Sequence, residues 1–309
     1  MIEVLNISIP FFALILLGYL SRTINFMDVG GAGTMSKFAF YITLPPFMFL
    51  KIASNEPAEI LNWDFLWRFE ICTTLVFLSA AAIGHKIFRL NRAEVGIFGL
   101  NVAYPNYGYI GIPLSILAFG DGAALPIGLI LFADTIVLLT LTSFFVSDNK
   151  GGGAKAGKRI LLNMVKNPLV LAVAAGLMFG MTGLKMPSIP TEFGNMLAGA
   201  AAPVALFALG ATLYGQPLRA AAAEVSVISL FKLVLHPLIV VVLFISIPGV
   251  DTLWVKVAIL SACLPVAANV FMLANHYGAY IARSASAILA STVIASGTVP
   301  IVLYWLFKI

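Results

Sequence analysis

Two stretches of the chain combine residue types that an uninterrupted helix avoids and a polar site in apolar surroundings needs. The first reads Asn101-Val-Ala-Tyr-Pro105-Asn106-Tyr107-Gly108-Tyr-Ile-Gly111-Ile-Pro113, and the second Cys263-Leu-Pro265-Val-Ala-Ala-Asn269-Val-Phe-Met-Leu-Ala-Asn275-His276-Tyr277-Gly278. Proline lacks the backbone donor and clashes with the preceding turn, so a helix is expected to break at Pro105 and again at Pro265. Each break leaves free N–H groups at the start of the following half-helix, where the macrodipole amounts to about half a positive charge. Such an end holds an anion without any Lys or Arg. Asn106 and Asn269 add amide donors, with Asn101, Tyr107 and Gly108 in the same run, so the chemistry on offer is recognition of a small anion. The plainer reading is that these residues kink helices, cap them and let them pack closely.

A second group is ionisable. Asp134 stands in the middle of an apolar run, where a charge costs at least about 2.5 kcal/mol on insertion scales; it must be protonated, paired or beside water. Lys232 is similarly placed, and Arg68 and Glu70 lie in the apolar run that would correspond to its own in the other half of the chain. These groups either pair to hold helices together or load a proton. His236-Pro237 reads as a kink, and His85 and His276 as interfacial. Cys72 and Cys263 lie in separate apolar runs with no metal-ligand spacing. Without a metallohydrolase HExxH, a phosphate-binding loop or a Gly-x-Ser-x-Gly elbow, the expectation is a non-enzyme with no cofactor and no metal.

The elements that must position these residues follow from composition. Of the 309 residues 61% are hydrophobic and 10% charged, with mean hydropathy +1.02, against about 45–50% and 25% in soluble domains. A span takes roughly 20 apolar residues. Spans are expected near 2–20, 33–52, 64–87, 93–119, 123–146, 163–182, 191–213, 221–247, 253–276 and 280–307. The first is read as a span and not a signal peptide, since Glu3 replaces a basic start and no small-residue cleavage site follows. A polar, Gly-rich linker over 147–159 separates residues 1–146 from 160–309. With the N-terminus outside, twelve Lys and Arg fall on the cytoplasmic side and five outside, with Lys232 within a span, so the positive-inside rule places both termini outside and the linker in the cytoplasm. Pro10 and Pro168, Pro45 and Pro203, and Pro105 and Pro265 are 158, 158 and 160 residues apart. Five spans per half with matched prolines imply a 5+5 inverted repeat, and paired broken helices at matching places point to a midplane site.

The run Pro105–Leu114, the Leu-Pro-x-Ala-x-Asn-x-Phe run from Leu264 to Phe271, and the Ala-Pro-x-Ala-Leu-Phe-x-Leu-Gly run from Ala202 to Gly210 resemble the auxin efflux carrier family, which includes bacterial malonate and malate permeases and plant PIN auxin exporters. The resemblance covers essentially the whole chain. It implies an all-α fold of ten helices like that of the bile-acid symporters, a scaffold of spans 1, 2, 6 and 7, and a transport domain of spans 3–5 and 8–10 whose helices four and nine cross at the substrate. It also implies that the position of Asn106 binds the substrate carboxylate. The short linker and Ala267-Ala268-Asn269 differ from the PIN pattern, so an indole substrate does not carry over.

Together these readings predict a multi-pass secondary transporter of the bacterial inner membrane that moves a small organic carboxylate, malonate-, malate- or auxin-like, by an alternating-access, elevator-type mechanism. The expected partners are that anion, the lipid bilayer and a second copy packed through the scaffold helices; nucleic acid is not among them. The alternative is a cation/proton antiporter of the same fold group. Antiporters place acids at the crossing, whereas this crossing offers Asn106 and Asn269. A passive channel is a third, weaker reading, because channels seldom need paired broken helices.

Overall fold

The computed structural model describes residues 2–55, 62–146, 167–217 and 221–309, and among them it is helical, without strands. The 147–159 linker lies outside the described residues. Helix α1 is Ile2–Thr23; α2 (Val29–Phe38) and α3 (Leu44–Ala53) follow, then α4 (Trp63–Lys86), α5 (Arg92–Ala103), α6 (Ile112–Phe119) and α7 (Ala124–Val146). After the linker come α8 (Pro168–Gly180), α9 (Ser188–Leu213), α10 (Ala222–Leu230), α11 (His236–Ser246), α12 (Thr252–Ala262), α13 (Asn269–Tyr277) and α14 (Ile281–Leu306). Among the described residues, six helical stretches are long and apolar enough to cross a membrane: Ile2–Thr23, Trp63–Lys86, Asp121–Val146, Ser188–Leu213, Ala222–Ser246 and Ile281–Leu306. Tyr107–Phe119, Pro168–Gly180 and Thr252–Ala262 are apolar but shorter. At 1.5 Å per residue, the eleven residues of α12 reach only about 16 Å, half of a hydrocarbon core.

Among the described residues there are three π-helical turns: Ala39–Thr43 and Phe231–Leu235 interrupt otherwise continuous helices, and Tyr107–Gly111 opens α6 after the break at Pro105. Each is followed by one residue and then a proline: Leu44-Pro45, Ile112-Pro113 and His236-Pro237. The proline ring crowds the carbonyl four residues earlier and offers it no donor. The helix answers by widening: Leu44, Ile112 and His236 each donate to the carbonyl five residues back, Ala39, Tyr107 and Phe231. Pro10 and Pro203 lie inside unbroken α-helices, and Pro168 opens α8. Of the three proline pairs matched in the sequence, only Pro105 and Pro265 therefore do the same structural job.

The densest packing joins α1 to α9, α3 to α8 and α9, and α2 to α9; a second set joins α4, α5 and α7, α4 to α11, α11 to α12, and α10 to α14. Contacts of α7 with α3 and α8, and of α14 with α1, link the two sets. The α1–α9 contact is backbone to backbone. A Cβ on Gly18 would stand 2.0 Å from the Phe207 carbonyl oxygen, and one on Gly210 would stand 1.8 Å from that of Ile15.

Polar staples close both ends of the second set. At one end Arg283 pairs with Glu224 at 3.2 Å and Glu94 at 3.7 Å, joining the starts of α14, α10 and α5. At the other, the buried Arg68 pairs with Asp64 and donates to the carbonyls of Ile247 and Pro248 beyond α11. Arg68 thus has an end-capping role and does not meet Glu70, although the two are neighbours on α4.

Candidate functional site

The two broken helices meet. The segment between α5 and the Tyr107–Gly111 turn lies antiparallel to the segment between α12 and α13, bridged at Pro105 and Val266. The Asn106 N–H donates to the Pro265 carbonyl at 2.9 Å, and the Ala267 N–H to the Tyr104 carbonyl at 3.0 Å. Proline fits here because neither Pro105 nor Pro265 has a donor to lose, while Pro265 still supplies the acceptor. Ser291 of α14 fixes the second segment by accepting the Val266 N–H at 3.1 Å.

The crossing consumes part of the donor set that the sequence alone suggests. The Tyr107 N–H turns back to the Pro105 carbonyl, and that of Tyr109 goes to Asn106 Oδ1 at 3.3 Å. Gly108, Ala268 and Asn269 stand at the starts of the two helices that leave the crossing, where backbone N–H groups have no intrahelical acceptor. Asn106 Nδ2 is without a partner although the residue is 1% exposed. These donors converge from two helix starts, an arrangement suited to an oxyanion.

The expected site residues do not all share one surface. Pro105, Tyr107, Gly108 and Asn269 line a small pocket of about 10 Å³ with Tyr104, Phe40 and Asn167. Asn269 also lines a cavity of about 610 Å³ that reaches past Phe40 and Tyr109 to Lys37 and Arg22. Asn106 and Pro265 are buried behind these walls. Asn101 lies deeper: its amide nitrogen donates to the Ile97 carbonyl at 2.9 Å and to Ser284 Oγ at 2.8 Å, tying α5 to α14. Sequence reasoning missed Asn167, which caps α8 by accepting from Leu169 and Val170. The signal was present as Asn-Pro at a helix start. It also missed Phe40 and Tyr109, whose rings stack at 6.5 Å between the small pocket and the cavity; no local pattern marks such a contact.

The ionisable residues gather next to the crossing. Tyr107 donates its hydroxyl to Asp134 Oδ2 at 2.6 Å. The carboxyl of Glu70 lies within hydrogen-bonding reach of that of Asp134, and Asp134 Oδ1 and both oxygens of Glu70 are closed off from solvent. Lys232, fully buried in its π turn, donates to the Ala262 carbonyl at 3.1 Å, at the negative C-terminal end of α12, and lies 3.1 Å from His236 Nδ1. Thr73 stands 3.4 Å from the other ring nitrogen. No ion pair joins Lys232 to a carboxylate among the described residues. The ammonium is held by hydrogen bonds and a helix end instead.

A family model described as "Membrane transport protein" matches residues 4–303. The chain belongs to this family, the auxin efflux carriers. It is a multi-pass membrane transporter and not an enzyme. It is 34% identical to a Rhizobium meliloti (strain 1021) protein named "Putative malonate transporter", over 98% of this chain and 96% of that one. It is 22% identical to the Escherichia coli (strain K12) "Uncharacterized transporter YfdV", over 93% and 92%. A Methanothermobacter thermautotrophicus "Uncharacterized transporter" is 27% identical over 93% of each chain.

Proposed function

We propose that this family member is a secondary carrier of small organic carboxylates, with malonate-like dicarboxylates first among them. The observation that carries the reading is the antiparallel crossing at Pro105 and Val266, which brings two helix starts together beside the unpartnered Asn106 amide and Asn269. The rhizobial relative's name supports the choice of anion. In this reading the set built on α4–α7 and α10–α14 moves against α1–α3, α8 and α9, carrying the crossing from one membrane face to the other. The chain lies in a bacterial inner membrane as two inverted five-span halves with both termini outside, which turns the large cavity toward the cytoplasm. Uptake of labelled mono- and dicarboxylates by proteoliposomes, with and without sodium or proton gradients, is the test. Saturable uptake of malonate that is lost in Asn269→Ala is expected, and failure to move any carboxylate would reject the reading.

A second reading, proton exchange or cotransport, is favoured by one specific observation: the buried Glu70–Asp134 pair is hydrogen-bonded through Tyr107 to the crossing itself. A proton on that pair would travel with the anion, so the pair supplies coupling to the carrier. An antiporter that moves cations alone would show gradient-driven proton flux without any carboxylate.

A further inference from the structure

The cavity that ends at Asn269 has a second chemical feature. Its lining contains two cations, Arg22 and Lys37, and no Asp or Glu. Neither cation has an acidic partner among the described residues. Arg22 is held in place, its Nη1 donating to the Met27 carbonyl at 2.9 Å and its guanidinium lying 5.3 Å from the centre of the Tyr214 ring.

Lys37 is the less expected of the two. A lysine that only sets topology belongs at a helix end, but Lys37 stands eight residues after the start of α2, about 12 Å along the axis. Nor does it face a free helix C-terminus, because α2 runs directly into the Ala39–Thr43 turn. Lys37 is exposed and lines the cavity, so its ammonium can meet an anion that enters there. One turn further on, Phe40 lines both the cavity and the small pocket, as does Asn269. The chain therefore lines one cavity with uncharged amide donors from the crossing and with a lysine.

We propose that Lys37 is the residue that reads the second carboxylate of a dicarboxylate whose first carboxylate rests on the crossing, with Arg22 attracting the anion into the cavity. This rests on the carboxylate-carrier reading and adds the substrate's charge number to it. Field lines from two cations focused in a low-dielectric cleft raise the local concentration of anions. A charge-assisted hydrogen bond then separates a dianion from a monoanion of equal length.

The test is equilibrium binding of malonate and of its monomethyl ester to the purified full chain, as wild type, Lys37→Gln, Lys37→Arg and Asn269→Ala. Wild type should prefer malonate, and Lys37→Gln should weaken malonate about tenfold or more while leaving the monoester within about twofold. Lys37→Arg should restore most of the preference. Asn269→Ala should weaken both ligands alike, so a silent Asn269→Ala rejects the crossing as the carboxylate site, whereas a preference that survives in Lys37→Gln rejects only the lysine assignment. Equal binding of the two ligands by wild type also overturns it. Because a lipid phosphate has the same oxyanion chemistry, the titrations are run with and without phosphatidylglycerol. A Lys37→Gln effect confined to the anionic lipid overturns the assignment too.

Discussion

Asn106 and Asn269 hold matching places at the crossing but different ones in the packing. Asn269 is on the cavity wall, while Asn106 is 1% exposed and spends its Oδ1 on the Tyr109 N–H. A hydrogen bond to a charged group is worth roughly 1.5–3 kcal/mol. Asn269→Ala should therefore weaken anion affinity by about one to two decades with little change in melting temperature. Asn106→Ala should lose affinity and also about 1 kcal/mol of stability, because it removes a cap. Calorimetric titration and thermal melting on the same preparations separate the two effects; if both asparagines only cap helices, melting falls and affinity stays. Asp134 is the other residue with a clear test. Asp134→Asn keeps the shape but removes the proton-loading group, and Tyr107→Phe removes its hydrogen bond to the crossing. Both should alter the dependence of uptake on external pH in proteoliposomes, and unchanged pH profiles together with unchanged melting would make the pair a bystander.

At the scale of the helix, α1 and α9 pack backbone to backbone at Gly18 and Gly210. Gly to Ala in a helix interior ordinarily gains about 0.5–1 kcal/mol. At Gly210 the added carbon would meet a backbone carbonyl at 1.8 Å, a neighbour that can yield only if the whole of α1 shifts, and Gly18 is in the same position. Gly210→Ala and Gly18→Ala should each cost about 1–3 kcal/mol or more. Gly199, also on α9, has nothing within 4 Å of an added Cβ, so Gly199→Ala is the matched control. Thermal melting in detergent should fall for the first two and hold or rise for the third. The π turns belong to this scale as well: each precedes a proline, and two of them carry Phe40 and Tyr109 to the boundary between the small pocket and the cavity.

Across the whole molecule, ion pairs join helix ends that are far apart in the sequence. Lys51 pairs with Asp121 at 2.6 Å, and Arg283 with Glu94 and Glu224. Which of these ends faces the cytoplasm is decided by labelling. Cysteines placed at position 152 and after Ile309 should react from opposite sides of oriented vesicles, and a cysteine at Thr212, on the cavity wall, should react from the same side as position 152 and be protected by malonate. Labelling of positions 152 and 309 from one side would reject both the orientation and the odd number of spans per half.

That the chain is a helical membrane protein is legible in its residues, because composition and hydropathy are sums over residues and need no partner; its family is legible in three short motif runs. The sequence also pointed to the breaks at Pro105 and Pro265, since the effect of a proline acts within one turn of backbone, but it carried no sign that Pro10 and Pro203 would sit in unbroken helices. What those breaks do depends on contacts made in the folded chain. The Asn106–Pro265 and Ala267–Tyr104 hydrogen bonds join segments some 160 residues apart, and they remove donors that local reasoning leaves free. Lys232 finding the end of α12, Arg68 leaving its neighbour Glu70 for the loop after α11, and Lys37 standing in the cavity of Asn269 are likewise long-range outcomes. A charged side chain in a membrane protein takes whichever partner the packing brings near, and residue type and spacing carry no record of that choice.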